Sequence, residues 1–229
     1  MVKGARKTGG SFRRQKNRDL VRSSQQRSEK TTILIIGEGK ETEPNYFRGL
    51  RDDKADSSGF KIMVKEGRGG TPEDAVNEAI RLKQQAERRG EGFDEVWCVV
   101  DVEGQEKRES LEAAVRLAEE KGIIPCLSNP CFEVWLLAHF VRSKKAYHYC
   151  DAVVVELNKK WLKQTKQKYQ KGDKQIYYRI SHLTKKAIKN ARDVLEQDHQ
   201  GKDRLDGNSS TEVYRLVGKL VGGNGQRKV

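Results

Sequence analysis

Acidic residues mark the places in this 229-residue chain where chemistry could be done. An apolar run, Ile33 to Ile36, ends in Gly37-Glu38-Gly39-Lys40-Glu41-Thr42-Glu43, and another, Val96 to Val100, ends in Asp101-Val102-Glu103-Gly104. Residues 101 and 103 are two apart, so extended backbone projects both carboxylates to one side. If the two runs are neighbouring strands, Glu38 joins them. Three carboxylates within a few ångströms repel by about 4 kcal/mol per pair at 4 Å and an effective dielectric near 20, a cost that a hard divalent cation removes. Oxygen-only donors select Mg²⁺ or Mn²⁺, and magnesium keeps several waters for a substrate phosphate. Acids at strand ends are also commonly solvated turns or helix caps, which is the role expected of Glu41 and Glu43. The glycines flanking Glu38 point instead to close approach of backbone or ligand.

Other chemistries find less support. Gly37-Glu38-Gly39 lacks the third glycine of the dinucleotide fingerprint and puts a carboxylate where a pyrophosphate would approach. Gly67-Arg68-Gly69-Gly70-Thr71 leads into a helix start and could contact an anion through Arg68, although a plain loop is the simpler reading; no Gly-Lys-Ser/Thr follows, so it is not a Walker A loop. No nucleophile elbow is present. The cysteines at 98, 126, 131 and 150 form no C-x-x-C pair and three sit in apolar runs, so neither a disulfide framework nor a zinc site is expected. No apolar stretch approaches the ~20 residues of a membrane span, and the basic amino terminus lacks the apolar segment of a secretory signal, so a cytoplasmic protein is expected.

The elements that must position the acids follow from the apolar pattern. Thr31 to Gly37, Phe60 to Lys65, Glu95 to Asp101 and Ile123 to Leu127 read as strands. Helices are expected over 43–51 with Thr42 as cap, 71–89 with a cap, a first-turn proline and two acids at its start, 109–121, and 131–140. Four alternations of strand and helix argue an α/β fold: a parallel sheet with helices on both faces, whose ligand binds at the carboxyl ends of the strands. Further helices near 176–197 and 211–221 extend it.

Charge is segregated. The chain carries a formal +13. Residues 1–30 hold ten basic residues against two acids and little that is apolar, which reads as a disordered tail. Residues 159–189 hold eleven basic residues against Asp173 alone, with Trp161, Tyr169, Tyr177 and Tyr178 interleaved. Two cationic blocks beside a mildly acidic remainder suggest a polyanion partner, and a nucleic acid fits better than a membrane surface because the second block lacks an apolar backing. The candidate contacts are Lys40, Arg68, Lys159, Lys160, Lys163, Lys166, Lys168, Arg179, Lys185 and Lys186. A Lys-rich helix can equally be a solvated face.

These residues carry a family resemblance. A Glu after the first strand and an Asp-x-acid pair after a later one look like the Toprim domain of topoisomerases, primases and nucleases. Glu38-Gly39 with Thr42-Glu43-Pro44-Asn45-Tyr46-Phe47, then Val96 to Asp101, Ser128-Asn129-Pro130-Cys131-Phe132-Glu133-Val134-Trp135-Leu136-Leu137-Ala138-His139-Phe140, and Asn208 to Val213 resemble the blocks of the RloB-like family in order and spacing, over 31–221. The resemblance implies a Toprim-like α/β domain over 31–140; beyond it, the chain is expected to form a basic helical extension over 141–221 and a flexible tail over 222–229. The resemblance also implies Mg²⁺ or Mn²⁺ and phosphodiester chemistry on DNA or RNA, tRNA included, in prokaryotic anti-phage or restriction-associated loci. A partner ATPase is implied too, and a homo-oligomer is admitted. Carried over residue by residue, Glu38 is general acid/base or metal ligand, and Asp101 with Glu103 are metal ligands. Glu103 departs from the second Asp expected there. Glu133 is a candidate for a second metal, and His139 for orienting substrate or acting as an acid, its alternative being a core or helix-end histidine. Trp135, Phe132 and Phe140 read as core. A self-contained topoisomerase or primase lacks room in the chain. The expected function is a metal-dependent nuclease; the alternatives are a catalytically weak nucleic-acid-binding or regulatory subunit, and an interaction protein that binds no nucleic acid.

Overall fold

The computed structural model describes residues 1, 30–55, 57, 59–67, 70–103 and 108–222. Nearly all of the tail expected over 1–30, residues 223–229 and Arg68 lie outside the described residues. Strands β1 (Thr31–Gly37), β2 (Phe60–Lys65), β3 (Glu95–Asp101) and β4 (Ile124–Asn129) run parallel in the order β2-β1-β3-β4, and β5 (Ser210–Thr211) adds antiparallel to β4. Helices α1 (Thr42–Lys54), α2 (Pro72–Arg88) and α3 (Arg108–Glu120) connect the strands, and α4 (Glu133–Ala138), α5 (Cys150–Thr165), α6 (Ile176–Ile180), α7 (Thr184–Asp193) and α8 (Val213–Gly222) follow. The expected α/β class and parallel sheet are what the chain forms.

The four consecutive apolar residues of β1 explain the layering. Successive side chains of a strand point to opposite faces, and Ile33 and Ile35 enter one buried cluster while Leu34 and Ile36 enter another. The first cluster is completed by α1 and by α4 to α8, the second by α2 and α3. Both faces are therefore covered, the condition under which a parallel strand reads as an unbroken apolar run. The second basic block, expected to lack an apolar backing, instead has one: its helices are amphipathic. On α5, Val153, Leu157 and Trp161 recur every four residues and are buried, whereas Lys159 and Lys163 face outward. Trp161 meets the rings of Phe140 and Tyr169 edge to face at 6.0 and 5.4 Å. Tyr177 is also buried, and only Tyr178 of the interleaved aromatics is exposed.

Several local expectations are corrected. Thr71 caps α2 and closes a capping box with Asp74, but Thr42 does not cap α1. Its hydroxyl donates to the Lys171 carbonyl (3.0 Å), and Asn45 Nδ2 donates to Gly172 O (3.3 Å), so a distant loop takes the groups a cap would use. The expected long helix after Ile176 is broken by a 3₁₀ turn at Ser181–Leu183 and a π turn at Val194–Asp198. β5 was not expected. It is held by the buried carboxylate of Glu212, which accepts from Leu127 N–H (3.1 Å) and pairs with Arg204 (2.7 Å) and Arg215 (3.3 Å). The expectation of no disulfide is also overturned: Cys131 and Cys150 are bonded, with Cα atoms 5.6 Å apart. Cys131 lies two residues before α4 and Cys150 opens α5; the two helices pack on each other, so packing rather than sequence spacing makes the pair. Cys98 and Cys126 are free and buried, and burial pushes the Cys98 thiol up to about 12. Among the described residues no helix is long and apolar enough to cross a membrane.

This division of α5 into a packed and a solvated face is testable by denaturant unfolding. Trp161→Ala is expected to cost about 3–5 kcal/mol, whereas Lys163→Ala should stay within about 0.5 kcal/mol of the parent. Equal effects would show that α5 does not pack as described.

Candidate metal centre

Because β1 and β3 are parallel neighbours, paired from Ile33↔Glu95 to Gly37↔Val99, both end at the same edge of the sheet. Glu38 continues β1: its N–H donates to Val99 O (3.0 Å), and its Oε2 accepts the Asp101 N–H (3.1 Å). Asp101 ends β3, and its Oδ1 accepts the N–H of Phe132 at the entrance to α4 (2.9 Å). Glu133 begins α4 and is only 3% exposed. Its Oε1 accepts from the Tyr169 hydroxyl (2.8 Å) and lies 3.6 Å from Lys171 Nζ, while its Oε2 is 3.2 Å from Cys150 Sγ. Glu43, in the first turn of α1 and 6% exposed, accepts from the Gly39 N–H (3.3 Å). Glu38, Glu43, Asp101, Glu103 and Glu133 line one cavity of about 470 Å³, with Lys40 and Lys171 on its wall.

Two glycines permit this approach, Gly67 most strictly because its neighbours are backbone. A Cβ on Gly39 would sit 2.7 Å from Glu43 Oε2, and one on Gly67 would sit 2.3 Å from the Glu38 carbonyl oxygen. The loop after β2 thus lies directly against the backbone that carries Glu38, as close as a chain without a side chain allows.

The cavity is electrostatically uncomfortable for anions alone. Burial, and then the neighbouring Glu43, Glu133, Glu38 and Glu103, push the Asp101 carboxyl well above the usual range. Burial also raises Glu43, and Glu133 adds to the shift, while its backbone hydrogen bonds and Lys171 oppose it. A set of crowded oxygen donors with Asp101 and Glu43 pushed toward their neutral forms is the chemistry that a hard divalent cation fits. The sulfurs of Cys131 and Cys150 lie with a Glu103 oxygen within 4.8 Å of one another. Bonded to each other, they offer no thiolate, so the carboxylates form the donor set.

The proposed ligands Glu38, Asp101, Glu103 and Glu133 are therefore brought together. His139 is not among the residues lining the cavity. It is fully buried at the far end of α4, its Nδ1 bonded to the Trp135 carbonyl (3.0 Å) among the rings of Tyr46 and Trp135, and burial lowers its pKa to about 3. That is the core-histidine alternative, and a neutral imidazole sealed from solvent does not exchange protons with a substrate. Of the candidate nucleic-acid contacts, Lys40 is exposed on the cavity wall. Lys163, Lys166, Lys168, Lys185 and Lys186 are exposed. Lys159 and Lys160 lie 3.7 and 3.6 Å from Glu156, and Arg179 is half-buried on Asp173. Three residues escaped the sequence reading: Glu43, expected as a cap, and Tyr169 and Lys171, which the loop between α5 and α6 folds back onto the acids. No local pattern announces that return; the hydroxyl of Thr42 and the amide of Asn45 secure it.

The raised Asp101 pKa has a signed consequence. In metal-free protein the folded state holds a proton on Asp101 that the unfolded chain releases near pH ~3.9, so stability falls as pH rises through the raised value. In EDTA at pH 7–8, Asp101→Asn should melt above the parent. With excess Mn²⁺ the order should reverse, because only the parent gains binding energy. Melting curves with the same order in both buffers would contradict this assignment.

No curated protein and no solved structure matches the chain. The family model described as RloB-like protein matches residues 33–220, a span that contains every residue of the cavity just described. The chain belongs to the RloB-like protein family.

Proposed function

We propose that this chain is a Toprim-type nuclease that hydrolyses phosphodiester bonds of DNA or RNA with Mg²⁺ or Mn²⁺, in anti-phage defence and together with a partner ATPase. The observation that carries the reading is the convergence of Glu38, Asp101, Glu103 and Glu133 on one cavity at the carboxyl edge of the parallel sheet. The defence setting and the ATPase rest on the family resemblance alone. Glu38, Asp101, Glu103 and Glu133 would hold the ion, which when bound neutralises charge on a phosphate and acidifies a water.

The chain's own groups do the rest. Glu38 is fixed through its backbone N–H and its Oε2, which places it to accept or return a proton at the edge of the cavity. Lys171, 60% exposed at its side chain, holds a positive charge beside Glu133 and can meet a phosphate oxygen. Tyr169 positions Glu133 by donating to Oε1. Exposed lysines on α5 and α7 would follow the nucleic-acid backbone without reading sequence. One observation favours a catalytically weak binding subunit instead: Glu103 is exposed and reaches toward Cys131 and Cys150, and its extra methylene alters the reach expected of an aspartate.

Cleavage of plasmid DNA, single-stranded DNA and total tRNA with Mg²⁺ or Mn²⁺ decides between the two. Glu38→Gln and Asp101→Asn should each lower the rate by about 100-fold or more; cutting by neither parent nor variants, with the ATPase present, would leave the binding-subunit reading. Double replacement of Lys159 and Lys163 by Ala should weaken binding to all sequences alike and reduce the salt slope by about 1–2. An unchanged slope would remove α5 from the interface.

A further inference from the structure

Beside the acidic cavity lies a second cleft of about 410 Å³ at the same carboxyl edge, a size within the ~300–1,000 Å³ of small-ligand sites. The turn after β3 divides the two: Val102 lines this cleft, and Asp101 and Glu103 on either side of it line the acidic one. Its apolar lining comes from Val102, Leu111, Pro130 and Leu205. Beside these, Tyr149 is 72% exposed and His148 is exposed, their ring centroids 6.5 Å apart.

The walls are fixed before any ligand arrives. Asn208 exchanges two hydrogen bonds with the backbone of Tyr147, through Oδ1 (2.8 Å) and Nδ2 (2.6 Å). Asn129 Nδ2 donates to Leu205 O (2.7 Å), which leaves its Oδ1 to accept, and Asp206 is joined to Arg108. Arg108 also binds Glu112 (2.8 Å). With Arg108, the one arginine among the described lining residues, paired to Glu112, Asp203 and Asp206, the cleft suits a neutral ring with donor groups rather than a phosphate. Carboxylate and amide acceptors beside an aromatic face are the groups that recognise an exocyclic amine while the ring stacks.

We infer that this cleft takes an unpaired nucleobase next to the phosphodiester held at the acidic cavity, with Tyr149 as its stacking platform. The inference rests on the nuclease reading and makes its substrate class single-stranded nucleic acid or an extruded nucleotide, since a base stacked and paired in a duplex cannot enter such a cleft.

The test is fluorescence anisotropy of the full chain with 5′-labelled mixed-sequence 12-mers, in Ca²⁺ so that binding is read without turnover. The probes are single-stranded DNA, the same sequence as a duplex, and an abasic strand of equal length. The parent should bind the single strand about tenfold more tightly than the abasic strand. Tyr149→Ala should erase that difference, Tyr149→Phe should keep it, and an unchanged melting temperature should show that both variants fold. Equal binding of base-bearing and abasic strands, or a Tyr149→Ala protein that still distinguishes them, would overturn the base site while leaving metal-dependent cleavage intact. Failure of the parent to bind or cut any nucleic acid would overturn the nuclease reading and the base site together.

Discussion

Carboxylates held a few ångströms apart repel, and everything at the carboxyl edge of this sheet exists against that repulsion. Glu38, Glu43, Asp101 and Glu133 come from β1, α1, β3 and α4, four pieces of chain that would relax apart if the core did not fix them. The parallel pairing of β1 and β3 fixes the first and third. Backbone N–H groups of Asp101, Phe132 and Gly39 each donate to one of the carboxylates, supplying partial positive charge without adding a mobile side chain. The arrangement spends folding free energy on a site, as functional sites do when local preference and global fold disagree.

Tyr169 and Lys171 show how the helical extension enters this balance. Their loop crosses from α5 to α6 and is tied to α1 through side chains of Thr42 and Asn45. Its hydroxyl and ammonium both meet Glu133. The same extension buries Trp161, Tyr177 and Ile180 in the cluster that contains Ile33 and Val99. Core and site are thus built from one set of tertiary contacts, and the long-range bonds that pack the basic helices also set the charge of the cavity.

How much of this was legible follows the range of the interactions. The strands were readable because burial on both faces leaves an unbroken apolar run, and their adjacency follows once crossover connections place β3 beside β1. The acids at their ends came with them. Glu43 was not readable as a member of the cluster, because an acid in a first helical turn is already explained by the dipole. Lys171 was one cation among eleven in its block, and only the folded loop singles it out. The bond between Cys131 and Cys150 depends on α4 packing on α5, for which neither cysteine's local sequence gives a sign. β5, two residues long, is below the length at which alternation can be seen.

The two edges of the sheet are finished differently. β5 covers β4 and leads into α8, whereas β2 has no further strand beside it among the described residues. Along β2 the exposed side chains are Lys61, Met63 and Lys65. A second copy pairing along that edge would set lysine near lysine on both sides of the exposed Met63 thioether, so strand addition meets repulsion before it gains hydrogen bonds. The cations of β2 therefore act against strand-by-strand self-association along this edge.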